Sequence, residues 1–142
     1  ALPAGDNNAP FGMANTGGTL QYGIIFNVAF SQNYGRWGVA ASLALVSAAP
    51  TVGMFSVNRT STTALRYDKN GVSAATDATL SATAASSEFT FPVLARNDGG
   101  SVGNFSEEND CIHAFHAAMT APQSLLFYNR VQTLQTALGR QV

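Results

Sequence analysis

The stretch that decides the fold is Ala64-Leu65-Arg66-Tyr67-Asp68-Lys69-Asn70-Gly71-Val72. Asn-Gly between two extended runs is a strong β-hairpin signal, because a type I′ turn needs positive φ at both central residues. The spacing predicts strands over residues 62–68 and 72–75, joined at Lys69-Asn70-Gly71. Just upstream, Val52, Met54, Phe55 and Val57 mark residues 51–58 as another strand. Farther back, Ile24, Phe26, Val28 and Phe30 alternate with Gly23, Ile25, Asn27 and Ala29, which predicts a strand over residues 19–30. Residues 31–35 read as a polar turn. Residues 36–47 read as one strand, apolar on both faces and so buried between layers, and Pro50 ends it. Pro3, Gly5, Asp6, Asn7, Asn8, Pro10, Gly12, Gly17 and Gly18 punctuate residues 1–18, which read as an extended N-terminal arm with room for a short strand at 11–14. Residues 19–142 are then the domain.

Downstream of the hairpin, residues 76–87 are rich in Ala, Ser and Thr, with one weak strand at 78–82. Phe89, Phe91, Val93 and Ala95 alternate in a further strand, where Pro92 calls for an edge position or a bulge. Residues 97–108 form a long polar loop. Cys111, His113, Phe115 and Ala117 alternate against Ile112, Ala114 and His116, a closing strand over 111–117. The chain then turns helical. Thr120 and Gln123 make a capping box with Pro122 in the first turn. Phe127, Val131, Leu134 and Leu138 form an apolar stripe that Leu126 widens, and Gly139 stands at the C-cap. A single helix of this length is marginal alone, so it must pack on the sheet.

Composition narrows the function. Charged residues are 11% of 142, against roughly a quarter in a typical domain. Low charge with abundant small polar residues suits a β-rich protein that lives against neighbours. The net charge is −1 with no basic run, which gives nucleic acid nothing to hold. No apolar run reaches the ~20 residues of a membrane span. One cysteine, Cys111, cannot form an internal disulfide. A start at Ala1 fits loss of an initiator methionine, a cut from a longer precursor, or a partial chain, and no signal-peptide pattern is read in it. The sequons at Asn58-Arg59-Thr60 and Asn104-Phe105-Ser106 are read as chance products of the composition.

The order strand, Asn-Gly, strand, then strand, Gly-rich loop, strand and one terminal helix resembles the concanavalin A-like (laminin-G-like) jelly roll. The version found in tailed-phage and prophage structural proteins is the nearest resemblance. It rests on residues 55–139: the hairpin from Tyr67 to Val72, Leu94-Ala95-Arg96-Asn97 before a Gly-rich turn, Gly103-Asn104-Phe105-Ser106, and Phe127-Tyr128-Asn129-Arg130 in the helix. Glu107-Glu108-Asn109-Asp110 is more acidic than the resemblance leads one to expect, and the N-terminal half matches poorly. A jelly roll this short is either minimal or has a sheet edge covered by the arm or by another chain. The resemblance implies an all-β jelly-roll β-sandwich with one C-terminal amphipathic helix, a fold that presents binding surfaces more often than catalysis.

No constellation for chemistry stands out. His113 and His116 fall on opposite faces of a strand, and Cys111 with His113 is only half of a thiolate–imidazole site. The Glu-x-Asp-x-x-Glu strand motif of glycoside hydrolases with this fold is absent. The run 107–110 is either a solvated acidic loop or a weak calcium cluster. Arg59, Arg66 and Arg96 read as isolated positions making rim salt links. Tyr34, Arg36 and Trp37, within Asn33-Tyr34-Gly35-Arg36-Trp37, are the recognition candidates, to be weighed against Trp37 simply filling the core. The expectation is therefore a non-enzymatic virion-surface protein of a tailed phage, a capsid decoration or a tail-fibre adhesin module. Its partners would be other virion proteins, copies of itself and a host-surface glycan, with no nucleic acid, membrane, metal or cofactor. The alternative is a carbohydrate-binding module of a larger secreted or surface protein, in which Tyr34 and Trp37 would be solvent-exposed.

Overall fold

The computed structural model describes residues 7–14, 20–27, 32–39, 43–47, 53–61, 63–78, 96–98, 100–103, 112, 114 and 116–140. Four strands open the chain: β1 (Asn7–Ala14), β2 (Leu20–Asn27), β3 (Gln32–Val39) and β4 (Leu43–Ser47). Three more follow as β5 (Phe55–Arg59), β6 (Leu65–Lys69) and β7 (Val72–Asp77). Two short strands, β8 (Arg96–Asp98) and β9 (Ser101–Gly103), precede the helix α1 (Ala121–Ala137).

Among the described residues six strands form one sheet in the order β4-β3-β2-β1-β8-β9, and three form a second in the order β5-β6-β7. Strands β2, β3 and β4 approach β5, β6 and β7. The pairings are antiparallel except β1 with β8, which is parallel, with Gly12 opposite Arg96 and Ala14 opposite Asp98.

The Asn-Gly hairpin forms as its residues dictate. Asn70 has φ 53° and Gly71 φ 75°, and Lys69 pairs with Val72 across the turn. Ala74 is an extra residue in β7, since Tyr67 faces Ala75 while Asp68 faces Ser73. The turn is clasped from outside: Asn70 N–H donates to the Met54 carbonyl at 2.8 Å, and Met54 N–H donates to Asn70 Oδ1 at 2.9 Å. Gly71 is demanded twice over. Its φ is left-handed, and a Cβ there would lie 2.7 Å from Leu125 Cα and 2.9 Å from Tyr128 Cβ. The hairpin turn therefore rests directly on the helix backbone.

The helix ends are also as their residues dictate. Gln123 N–H donates to Thr120 Oγ1, and Gln123 Oε1 accepts from Thr120 N–H at 2.8 Å, which completes the capping box. At the other end Gly139 has φ 66°, its N–H donates to Thr136, and Arg140 N–H donates to Gln135. That pair of bonds is a Schellman motif.

Several expectations need correction. Residues 7–14, expected within the arm, supply β1 between β2 and β8. The turn-like pattern hid this strand. Pro10 falls at the register shift between Asn8 and Phe11, where a missing N–H costs no ladder bond. The expected turn at 31–35 lies mostly in β3, and residues 36–47 divide into β3 and β4, antiparallel from Gln32↔Ser47 to Arg36↔Leu43. The expected loop at 97–108 opens with the β8–β9 hairpin, with Gly100 at φ 98° beside its Asp98↔Ser101 pair. Ile112, Ala114, His116 and Ala117 are not in a strand. The strand expected at 89–95 and the acidic run 107–110 lie outside the described residues, as does most of the weak strand at 78–82.

Gly71 gives a direct check of the packing. Gly71→Ala should cost the left-handed backbone term of about 1–2 kcal/mol plus the displacement of the helix, itself about 1–3 kcal/mol. Gly139→Ala has open space around its new methyl and should cost the first term alone. Urea unfolding of the two variants reads the difference; equal losses would mean that the helix does not sit on the turn.

Candidate functional site

The antiparallel register of β5 and β6 sets Ser56 opposite Asp68 and Asn58 opposite Arg66. Alternation along a strand puts these four polar side chains on one face, with Val57, Leu65 and Tyr67 on the other. The entry of α1 lies over the polar face and brings Met119 and Ser124 to it. Asp68 and Asn58 are 1% and 0% exposed, and Ser124 is fully buried.

The Asp68 carboxylate accepts four hydrogen bonds from the described residues. Oδ1 takes Arg66 Nε at 2.6 Å. Oδ2 takes Arg66 Nη2 at 2.9 Å, Asn58 Nδ2 at 2.9 Å and Ser124 Oγ at 2.6 Å. Arg66 Nη2 also donates to the Met119 carbonyl at 2.9 Å, and Asn58 Oδ1 accepts from Met119 N–H at 3.0 Å. Asn58 Nδ2 reaches Ser56 Oγ at 3.2 Å. Both polar groups of the Met119 peptide are thus held by side chains from the three-stranded sheet.

This arrangement can hold structure, and it is poorly built for turnover. The carboxylate already accepts from three side chains and is 1% exposed, so a substrate has no open path to it. Ser124 Oγ donates to that carboxylate and is sealed from solvent. A desolvated charge without partners would be ruinous; here the bidentate Arg66 fork and two neutral donors compensate it. Arg66, expected to be an isolated rim position, is instead the counter-ion of a buried acid. The Asn58-Arg59-Thr60 sequon is not on offer in the folded chain, because Asn58 is buried and its amide is fully engaged.

On the opposite face, Tyr67 is fully buried and its ring stacks with Phe55 at 6.2 Å. Among the described residues its hydroxyl has no hydrogen-bond partner. Burial pushes the Tyr67 hydroxyl pKa far above the ordinary tyrosine range, because the phenolate would be desolvated.

The recognition candidates lie elsewhere. Tyr34, Arg36 and Trp37 are residues of β3, which is paired on both sides: position 34 with Ile25 and Leu45, position 36 with Gly23 and Leu43, position 37 with Tyr22. Positions 34 and 36 share one face of the strand and position 37 falls on the other. Cys111 and His113 lie outside the described residues. His116 is exposed, with Nδ1 2.7 Å from the Ala117 carbonyl and its ring 6.2 Å from that of Phe127. Among the described residues no three His, Cys, Asp or Glu side chains group as a metal site.

Comparison with protein-family models, with curated proteins and with solved structures found no match.

Two outcomes follow for this region. Asp68→Ala strands a part-buried guanidinium, a buried amide and a buried hydroxyl, and should cost about 3–5 kcal/mol. Ser124→Ala should cost about 1–2 kcal/mol. The double variant should lose less than the two singles together by at least about 0.5 kcal/mol, since both act on one network. Strict additivity in denaturant unfolding would break the network apart. For Tyr67, the folded state holds the neutral phenol, so its contribution is complete below the unfolded pKa of about 10 and declines as pH rises through and beyond it. Tyr67→Phe should be neutral to stabilising at neutral pH, because the hydroxyl has no partner among the described residues, and should flatten the alkaline decline in stability. An unchanged alkaline slope in the variant would assign that decline to other groups.

Proposed function

We propose that this chain is a non-enzymatic structural module of a tailed-phage virion, a jelly-roll domain displayed at the particle surface as a capsid decoration or tail-fibre adhesin module. Its partners on this reading are other virion proteins and copies of itself. The jelly-roll assignment rests on the resemblance across residues 55–139 and on two sheets that approach one another before a single terminal helix.

The observation that carries the docking role is the orientation of α1. Its buried residues are the polar Ser124 and Gln135. Its leucines face outward: Leu125, Leu126, Leu134 and Leu138 are 43–56% exposed. The expected stripe of Phe127, Val131, Leu134 and Leu138 is covered only at Phe127 and Val131, and there by half. A helix facing water on its outer side normally carries charge there. Here Arg130 is the single charged residue of α1. Exposed leucines with so little charge around them support the reading of a surface that meets another protein. No described helix is long and apolar enough to cross a membrane. The paired and buried Asp68 network agrees with a non-enzymatic role, since the acid and hydroxyl it contains serve as an internal clamp.

Light scattering across a concentration series is the test, with co-purification on phage particles as its companion. The natural chain should form an oligomer or travel with particles. Leu134→Gln with Leu138→Gln should shift it toward monomer while leaving its unfolding midpoint, measured at low concentration, nearly unchanged. A chain that is monomeric at every concentration and absent from particles would overturn the proposal.

A further inference from the structure

Asn70-Gly71 is the one Asn-Gly pair in the sequence. Asn-Gly is the dipeptide most open to spontaneous cyclisation, because glycine leaves its own amide nitrogen unshielded by a side chain. The folded turn holds these two residues away from that reaction in three ways. The Asn70 carboxamide is tied back, with Oδ1 accepting Met54 N–H at 2.9 Å. It also lies tight on Gly53, where a Cβ would be 2.7 Å from Oδ1. Gly71 is buried, with the space a Cβ would need already taken by Leu125 Cα, Tyr128 Cβ and the Ser124 carbonyl.

We propose that Asn70 is a deamidation site gated by the docked helix: unreactive while α1 sits on Gly71, and reactive once the helix lifts. The chemistry needs only water. The Gly71 nitrogen gives up its proton and attacks Asn70 Cγ, forming the N–Cγ bond. The Cγ–Nδ2 bond breaks, and ammonia leaves with the proton. Water then opens the cyclic imide. Attack at Cγ gives aspartate at position 70; attack at the α-carbonyl gives isoaspartate, which places one extra methylene in the backbone.

The geometry makes the second product one-way. Cyclisation requires the carboxamide to leave Met54 and the turn to leave its left-handed conformation at φ 53° and 75°. The Leu125 and Tyr128 contacts leave no room for that movement while the helix is seated. After ring opening, the lengthened isoaspartyl backbone must fit the same gap beneath Leu125, where not even a methyl fits. A molecule that has reacted this way cannot close the helix over the turn again. The site therefore records opening of the helix–hairpin contact as a permanent covalent mark. This inference stands independently of the virion reading.

The test incubates the full chain in mildly alkaline buffer, with and without urea. Aspartate and isoaspartate at position 70 are quantified by peptide mass mapping and by enzymatic methylation of isoaspartyl carboxyls. The native chain should react at least about tenfold more slowly than the unfolded one, since only the opened fraction reacts. Ser124→Ala, which loosens the helix entry, should react several-fold faster than the natural chain in buffer and at the same rate in urea. Equal rates in buffer and urea, or no effect of Ser124→Ala, would overturn the gating. Purified isoaspartyl protein should also be cleaved within α1 by added protease faster than unreacted protein; equal cleavage would overturn the one-way mark.

Discussion

The Asp68 carboxylate is the interaction on which the joining of β5, β6 and α1 depends. It is nearly sealed from solvent and charged, and it is satisfied by groups from three separate segments: Asn58 on β5, Arg66 on its own strand, and Ser124 in the first turn of α1. Arg66 and Asn58 then fix both ends of the Met119 peptide, the last unit before the helix cap. A buried ion pair gives little net stability against an apolar equivalent, since desolvation consumes most of the Coulomb gain. What it gives is a requirement. The chain cannot bury Asp68 without bringing all three segments together, so any arrangement that misplaces the helix leaves a naked charge.

How much of this was legible in the sequence follows from the range of each interaction. The hairpin and the helix ends are local: Asn70-Gly71 sets its own turn, and Thr120, Gln123 and Gly139 satisfy backbone groups within four residues of themselves. Such signals survive in a single sequence. The network around Asp68 spans separations up to 61 residues. Taken singly, each member looks like an ordinary surface residue. The one available hint was parity. Ser56, Asn58, Arg66 and Asp68 share a face opposite Val57, Leu65 and Tyr67, and the Arg-x-Asp spacing within β6 aligns a cation with an acid.

The N-terminal sheet was harder to read for the opposite reason. Its strands carry residues that ordinarily break strands, and tertiary pairing overrides them. Pro10 is absorbed at an irregularity of the β1–β2 ladder. Asn33 and Gly35, which look like turn residues, are paired on both sides in β3. Nothing in Ala40-Ala41-Ser42 announces that β3 and β4 are separate strands. Tyr34, Arg36 and Trp37 remain the residues a sequence reader would choose for recognition, and the strand register separates position 37 from the other two.

The same clamp explains why the helix is turned with its leucines outward. A helix held only by apolar burial rotates to hide its most hydrophobic side, and here that would be the side containing Leu126, Leu134 and Leu138. The Ser124–Asp68 bond and the contact of Gly71 with Leu125 and Tyr128 forbid that rotation. Docking runs instead along Ser124, Tyr128, Val131 and Gln135, spaced four, three and four, as one face of a helix requires. Gln135 marks the strain of this choice: it is almost fully buried, and its Oε1 finds no donor among the described residues. An amphipathic helix free to choose would not bury that amide and expose four leucines. The polar anchor overrides the hydrophobic preference, and the apolar surface left outside is what a partner would cover.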